Sequence, residues 1–424
     1  MSLHLSGGRV IDPASGADKI QDVFIDGGKI VGLGSAPAGF RPARTIDARS
    51  LVICPGLVDL SVRLREPGYE YKATLESEMS AAVAGGVTSL ACPPDTDPPL
   101  DEPGLVEMLK HRARNLNQAH VYPLGALTLA LKGEKLTEMA ELVEAGCVGF
   151  SQADAALANN QVLLRAMQYA STFGFPVWLR PSDVALAGDG VAHDGQVATR
   201  LGLAPIPVVA ETVALATILM LARETAASVH LCRLSSAEGV DMVRRAKAEG
   251  MKLSCDVSVH HIHLSEMDIG FFDANCHLVP PLRSPRDRDA LRRGIEDGTI
   301  DAVCSDHTPV DEDAKQLPFG ESERGATGVE LLLPLILKWS EETGVPLSAA
   351  LAKITCEPAR ILNIQAGGLR LGDAADLCIF DPSARWKVEA QALKSQGKNT
   401  PFAGFELKGK VRYTVVDGHV VHEG

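Results

Sequence analysis

From Leu57 to Ser305 short apolar runs alternate eight times with segments of helical periodicity, and few folds accept that pattern. The runs predict strands at Leu57 to Leu64, Val87 to Ala91, His120 to Leu124, Val148 to Phe150, Pro176 to Leu179, Val229 to Leu231, Lys252 to Val257 and Ala302 to Ser305. Between them the spacing predicts helices over Leu75 to Ala84, Leu105 to Leu116, Leu136 to Ala145, Val162 to Phe173, Val208 to Ala222, Ala237 to Glu249 and Asp287 to Asp297. Strands separated by a helix pair in parallel, since a helix is long enough to carry the chain back to the strand's starting end. Eight such units predict a (β/α)8 TIM barrel, an α/β fold whose chemistry gathers at the C-terminal ends of its strands. One helix start is well marked, because Ser235 and Glu238 fit a capping box.

The two ends read differently. Asp26-Gly27 lies between the apolar runs Val23 to Ile25 and Ile30 to Leu33, and Asp417-Gly418 joins Val411 to Val416 with His419 to Val421. Both are hairpin signals, and Asp376 to Phe380 reads as a further strand. The expectation is a small β-sandwich domain built from both termini, residues 1–54 and 363–424, around a barrel of residues 55–362. Ser383 to Phe405 lacks periodicity and reads as a surface excursion. With 424 residues, 46% of them hydrophobic, the chain is long enough to bury a large core. Its net charge of -13 argues against nucleic acid and anionic membrane as partners, which need a basic face. No apolar window is long enough to span a bilayer, and the amino terminus, with Asp12 and Asp18, does not read as a signal peptide, so a cytoplasmic location is expected. Nine scattered cysteines without a C-x-x-C indicate neither a disulfide framework nor a zinc ribbon.

The chemistry starts at Pro55 to Gly68, P-G-L-V-D-L-S-V-R-L-R-E-P-G. On an extended strand Asp59, Ser61, Arg63 and Arg65, spaced by two, point to one side. The stretch resembles the first barrel strand of the cyclic amidohydrolases, most closely the dihydroorotases, except that the family's two histidine ligands are Ser61 and Arg63 here. The resemblance continues along nearly the whole chain. The family's bridging acid falls at Ala153, after Gln152; its strand-five histidine is Arg180; its strand-six histidine is Arg233; and its strand-eight aspartate, ligand and base, is kept as Asp306 in Ser305-Asp306-His307-Thr308-Pro309. A guanidinium offers no lone pair, so three of the six positions cannot ligate a cation. Asp154 stands one residue beyond the bridge position, where the pleat of a strand turns a side chain away.

The substrate positions differ as well. Arg65 is retained, but the family's partner asparagine is Asp95, and two further polar positions are Val279 and Val310. Asp59 reads as part of the strand frame, Glu330 as a helix-start acid, and His260, His261 and His263 as a histidine cluster that in the family is not a ligand set. The resemblance therefore implies a noncatalytic dihydroorotase-like chain without metal or zinc cofactor. It would be a homo-oligomer that partners the catalytic chain of aspartate transcarbamoylase in pyrimidine biosynthesis, with Arg65, Asp95 and Asp306 vestigial. Two other readings remain open at this point. One is an active dihydroorotase or other cyclic amidohydrolase with a rebuilt metal centre on Asp306 and His260 or His307. The other is a small-anion-binding regulatory module in which Arg63, Arg65, Arg180 and Arg233 face one cavity.

Overall fold

The eight apolar runs form eight parallel strands in sequence order, each hydrogen-bonded to the next. The computed structural model, which describes residues 2–424, places them at β1 (Leu57–Asp59), β2 (Val87–Cys92), β3 (His120–Ala126), β4 (Gly149–Ser151), β5 (Val177–Leu179), β6 (Val229–Leu231), β7 (Leu253–Ser258) and β8 (Ala302–Cys304). Beyond β1 the chain meets the end of β8. His307 N–H donates to Ser61 O and Arg63 N–H donates to His307 O, both at 3.0 Å, which closes the barrel. Inside, Val58, Leu60, Ala91, Leu124, Trp178, Ala302 and Cys304 pack into one apolar cluster beneath the strand ends.

The helices form where the pattern predicts, give or take a turn. Asn160–Phe173 shows why: Asn159 caps its first turn by accepting from Gln161 N–H, and Gly174 ends it in the left-handed conformation at φ 73°. Its buried residues, Leu163, Ala166, Met167 and Ala170, fall at the spacing of a single helical face. The capping box expected at Ser235 and Glu238 does not form. The helix Ala237–Ala248 is capped by Ser236, whose hydroxyl accepts from Gly239 N–H, while the Ser235 hydroxyl is bonded to the buried carboxylate of Glu211. Both serines are also held by Glu211 of another helix, which accepts from the N–H and hydroxyl of each.

Strands from both termini build one hydrogen-bonded sheet of eight. The seam is the antiparallel pairing of Val52–Pro55 with Leu377–Phe380, which joins the chain's two ends beside the barrel. Leu3, Leu5, Val23, Ile25, Ile53, Leu377, Ile379 and Val415 form its own core. Among the described residues no helix is long and apolar enough to cross a membrane.

The stretch Ser383 to Phe405 is more than a surface excursion. Ser395, Asn399, Thr400 and Phe402 are buried, because this segment docks onto barrel groups that need partners. Glu78 accepts from Ser395 Oγ at 2.7 Å and Gln396 N–H at 3.0 Å, and Glu330 accepts from Lys394 and Ser395 N–H at 2.9 and 3.0 Å. Asn399 accepts from Val310 N–H and donates to the carbonyls of Thr308 and Gly325. Asn399→Ala therefore leaves three buried backbone groups unpaired, and urea unfolding should show a loss of about 2 kcal/mol or more. Gln391→Ala, at an exposed position nearby, should stay within about 0.5 kcal/mol of the parent.

Candidate functional site

Burying a guanidinium among apolar groups is costly unless carboxylates meet it, and at the C-terminal ends of the strands three arginines are met in this way. Arg63, beyond β1, is 5% exposed and reaches three acids. Its Nε donates to Asp95 at 2.7 Å, its Nη2 to Asp154 at 2.7 Å, and its Nη1 lies 3.4 Å from Asp306 and 2.9 Å from Thr308 Oγ1. Arg233, after β6, donates to Asp306 at 2.9 Å, to Asp154 at 2.5 Å and to the carbonyl of Val279 at 3.2 Å. Arg180, after β5, donates from Nε to Asp154 at 2.6 Å. Three arginines and three aspartates thus form a neutral lattice that ties together the ends of six strands.

Asp154 is the hub of this lattice, and sequence reasoning turned it away. The expectation that a one-residue shift reverses a side chain holds only while the strand continues. Here β4 stops at Ser151 and Ala153 takes φ 50°, so the chain twists and Asp154 swings back over the barrel. The available signal was charge: three inferred cations in one pocket require more acid than Asp306 alone supplies. Ala153 itself contributes only this left-handed turn. Ser61 lies 3.4 Å from Asp306 through its hydroxyl. Arg65 does not join, although spacing on an ideal strand puts it on the same side. It takes φ 62°, donates to the Pro309 carbonyl at 2.9 Å, and its Nη2 lies 3.9 Å from Glu323.

The charges respond to this packing. Burial opposes ionisation of Asp154, but Arg233, Arg180 and Arg63 hold its carboxyl far below the usual range. Burial likewise opposes the charge on Arg63, yet Asp95, Asp154 and Asp306 hold its pKa above the ordinary arginine value. At Asp306 burial pushes the carboxyl up, with Arg233 and Arg63 acting against it. Asp59 sits deeper, accepting from Ser61 and Ser305 N–H at 3.2 and 3.0 Å, and burial raises it to about 6.

His307, His261 and His263 are hydrogen-bonded elsewhere, whereas both ring nitrogens of His260 are buried without a hydrogen-bond partner. His307 is bonded to Glu78 and accepts from Gly328 N–H. His261 bonds the Pro280 carbonyl, His263 the Leu335 carbonyl, and His260 stacks on Phe402, with burial lowering all three to about 3 or 4. The trio does not converge on one point, and neither His260 nor His307 bonds to Asp306. His230, Cys232 and Asp256 do approach one another. There His230 is bonded to Ser254 and Asp256, Asp256 also accepts from Arg233 N–H at 2.6 Å, and burial pushes the Cys232 thiol well above its ordinary pKa.

A closed parallel barrel with a two-termini sheet and a strand-end site built on Asp306 defines an amidohydrolase architecture. A model of the Dihydro-orotase-like family matches residues 50–239, and one of the Amidohydrolase family matches residues 184–421. A dihydroorotase-like protein of Pseudomonas aeruginosa is 46% identical over 424 residues, covering all of both chains. A dihydroorotase of Geobacter metallireducens is 40% identical over 426 residues, again covering all of both. The solved L-hydantoinase (dihydropyrimidinase) of Arthrobacter aurescens superposes with a TM-score of 0.89 at 23% identity, over 99% of this chain and 96% of that one, and shares the fold. The chain belongs to the dihydroorotase-like family of amidohydrolases.

Divalent metal, which that family implies, does not fit the residues present. The six positions carry a hydroxyl (Ser61), a methyl (Ala153), three guanidiniums (Arg63, Arg180, Arg233) and one carboxylate (Asp306) that already accepts from Arg233. The space enclosed by Ser61, Arg63, Ala153, Trp178, Cys232 and Arg233 is about 20 Å³, room for about one water.

Two outcomes are expected. Asp154→Asn removes the charge shared by three arginines, and denaturant unfolding should show a loss of about 2 kcal/mol or more, less than for a fully buried partner because its side chain is a third exposed. Asp18→Asn, which breaks the exposed pair with Arg9, should cost below about 1 kcal/mol. Asp59, raised from 3.8 to about 6 by burial, holds its proton more tightly folded than unfolded. Its contribution favours folding below about pH 4 and is lost as pH rises through about 6. Stability measured from pH 4.5 to 7 should fall less steeply in Asp59→Asn than in the parent, and equal slopes would count against the assignment.

Proposed function

We propose that this chain is a noncatalytic, cytoplasmic dihydroorotase-like subunit that forms homo-oligomers and supports assembly of aspartate transcarbamoylase catalytic chains in pyrimidine biosynthesis. The observation that supports the loss of catalysis is the arginine–aspartate lattice. Hydrolysis of an unactivated cyclic amide at neutral pH needs an activated water, and a site whose three carboxylates, Asp306 among them, are each engaged by arginine offers no free base to make one. The assembly role rests on the family resemblance of the ligand-poor strand ends. The rival reading, a working dihydroorotase, draws on the Geobacter relatives named dihydroorotase and on the retained Arg65 and Asp306.

The two readings separate in the test tube. The purified chain is expected to show no hydrolysis of dihydroorotate with or without added zinc, and Arg63→His alone should not restore it, since Arg180 and Arg233 keep two guanidiniums at the centre. Zinc-dependent turnover abolished in Asp306→Ala would establish the rival. Co-expression tests assembly: aspartate transcarbamoylase should reach a larger, active complex only with this chain present. If its size and activity are the same alone, the assembly role is wrong.

A further inference from the structure

The four arginines Arg63, Arg65, Arg180 and Arg233 do not share one cavity. Arg63 and Arg233 close over the 20 Å³ space, Arg65 faces Pro309 and Glu323, and Arg180 alone among them lines a separate cavity of about 460 Å³. That cavity opens beside the ends of β4 and β5, against the segment Ser182 to Ile206 and the helix Val209–Thr225. Its size is that of a small-molecule site.

Its charges are unequally satisfied. Three acids line it, and each is engaged. Asp154 is held by three arginines, Asp183 accepts from Leu186 N–H at 2.9 Å, and Glu211 accepts from the N–H groups of Ser235 and Ser236 at 3.0 and 3.1 Å. Three arginines line it too, and each keeps donors in reserve. Arg180 directs Nε and Nη2 at Asp154, leaving Nη1. Arg283, 4% exposed, uses Nε on Ser235 Oγ and Nη1 on the Ile206 carbonyl, leaving Nη2. Arg324 donates from Nη2 to the Gly190 carbonyl at 3.1 Å, leaving Nη1. Among the described residues neither Arg283 nor Arg324 has a carboxylate partner. Burial lowers the pKa of both Arg180 and Arg283. The remaining wall mixes apolar side chains, including Leu157, Leu163, Leu179 and Ile218, with the polar Gln152, Asn160, Ser182 and Thr217.

We propose that this cavity is a binding site for a small organic acid, its carboxylate held by the spare guanidinium N–H groups and its apolar body against the leucine and isoleucine wall. A carboxylate matches the planar fork of arginine, and the leucine and isoleucine side chains give the body of an organic anion a contact that a fully hydrated inorganic one lacks. The site does not depend on the assembly role, because every group it uses is on this chain.

Calorimetry on the full chain with hexanoate, hexanamide and inorganic phosphate tests this. Hexanoate is expected to bind one per chain, with hexanamide weaker by about tenfold or more, the loss of one charge-assisted contact. Arg324→Gln should weaken hexanoate by about tenfold and Val213→Asp, which puts a carboxylate at the mouth, should abolish it. Both residues are exposed, so unchanged melting temperatures should confirm that the variants fold. No binding of hexanoate, equal binding of hexanamide, or undiminished binding in both variants would overturn the proposal. Phosphate bound in preference to hexanoate would overturn it in favour of an inorganic anion.

Discussion

Everything at the top of this barrel depends on the contact between Asp154 and three guanidinium groups. Eight strand ends bring backbone carbonyls and inward-facing side chains into a small volume, and polar groups there must be matched or the barrel pays for burying them. In the family two cations bind together side chains from different strands. Here Arg63 links the segments after β1, β2, β4 and β8, Arg180 adds β5, and Arg233 adds β6 and the Val279 carbonyl after β7. The positive charge that metals would supply is carried on the strands themselves. The same mechanical convergence is reached with donors in place of ligands.

Much of this was written locally in the sequence, and what was not was written at a distance. The barrel was readable because strand and helix periodicities are properties of short windows, and all eight strands fall within a few residues of the apolar runs. Loss of metal-ligating capacity was readable because it follows from residue identity: an arginine is not a ligand in any conformation. The geometry around it was not. Asp154 depends on a left-handed Ala153, Arg65 on its own φ of 62°, and the setting of both Ser235 and Ser236 on Glu211, 24 residues upstream of the first of them. The segment Ser395 to Phe402 carries no periodic signal because its order comes from Glu78, Glu330 and the strand-eight loop, partners that its own sequence does not announce.

Arg65, Ala153, Arg233 and Asp306 all take positive φ, between 49° and 62°. For residues with a Cβ this conformation is disfavoured by roughly 1 kcal/mol each, and it persists where surrounding contacts over-determine it. Three of the four lie at former ligand positions. The strain is thus concentrated at the strand-end frame.

The retained parts of the frame also have sufficient reason to be there without catalysis. Asp306 holds Arg233, Arg63 and Ser61 on one oxygen. His307 joins Glu78, which in turn holds Ser395 and Gln396 of the carboxyl-terminal part of the chain, so the pair Asp306-His307 connects the barrel centre on one side with the docked segment on the other. Arg65 fastens the loop carrying Pro309 and Glu323. Packing alone is enough to hold such residues in place, since removing any of them would unpair buried groups.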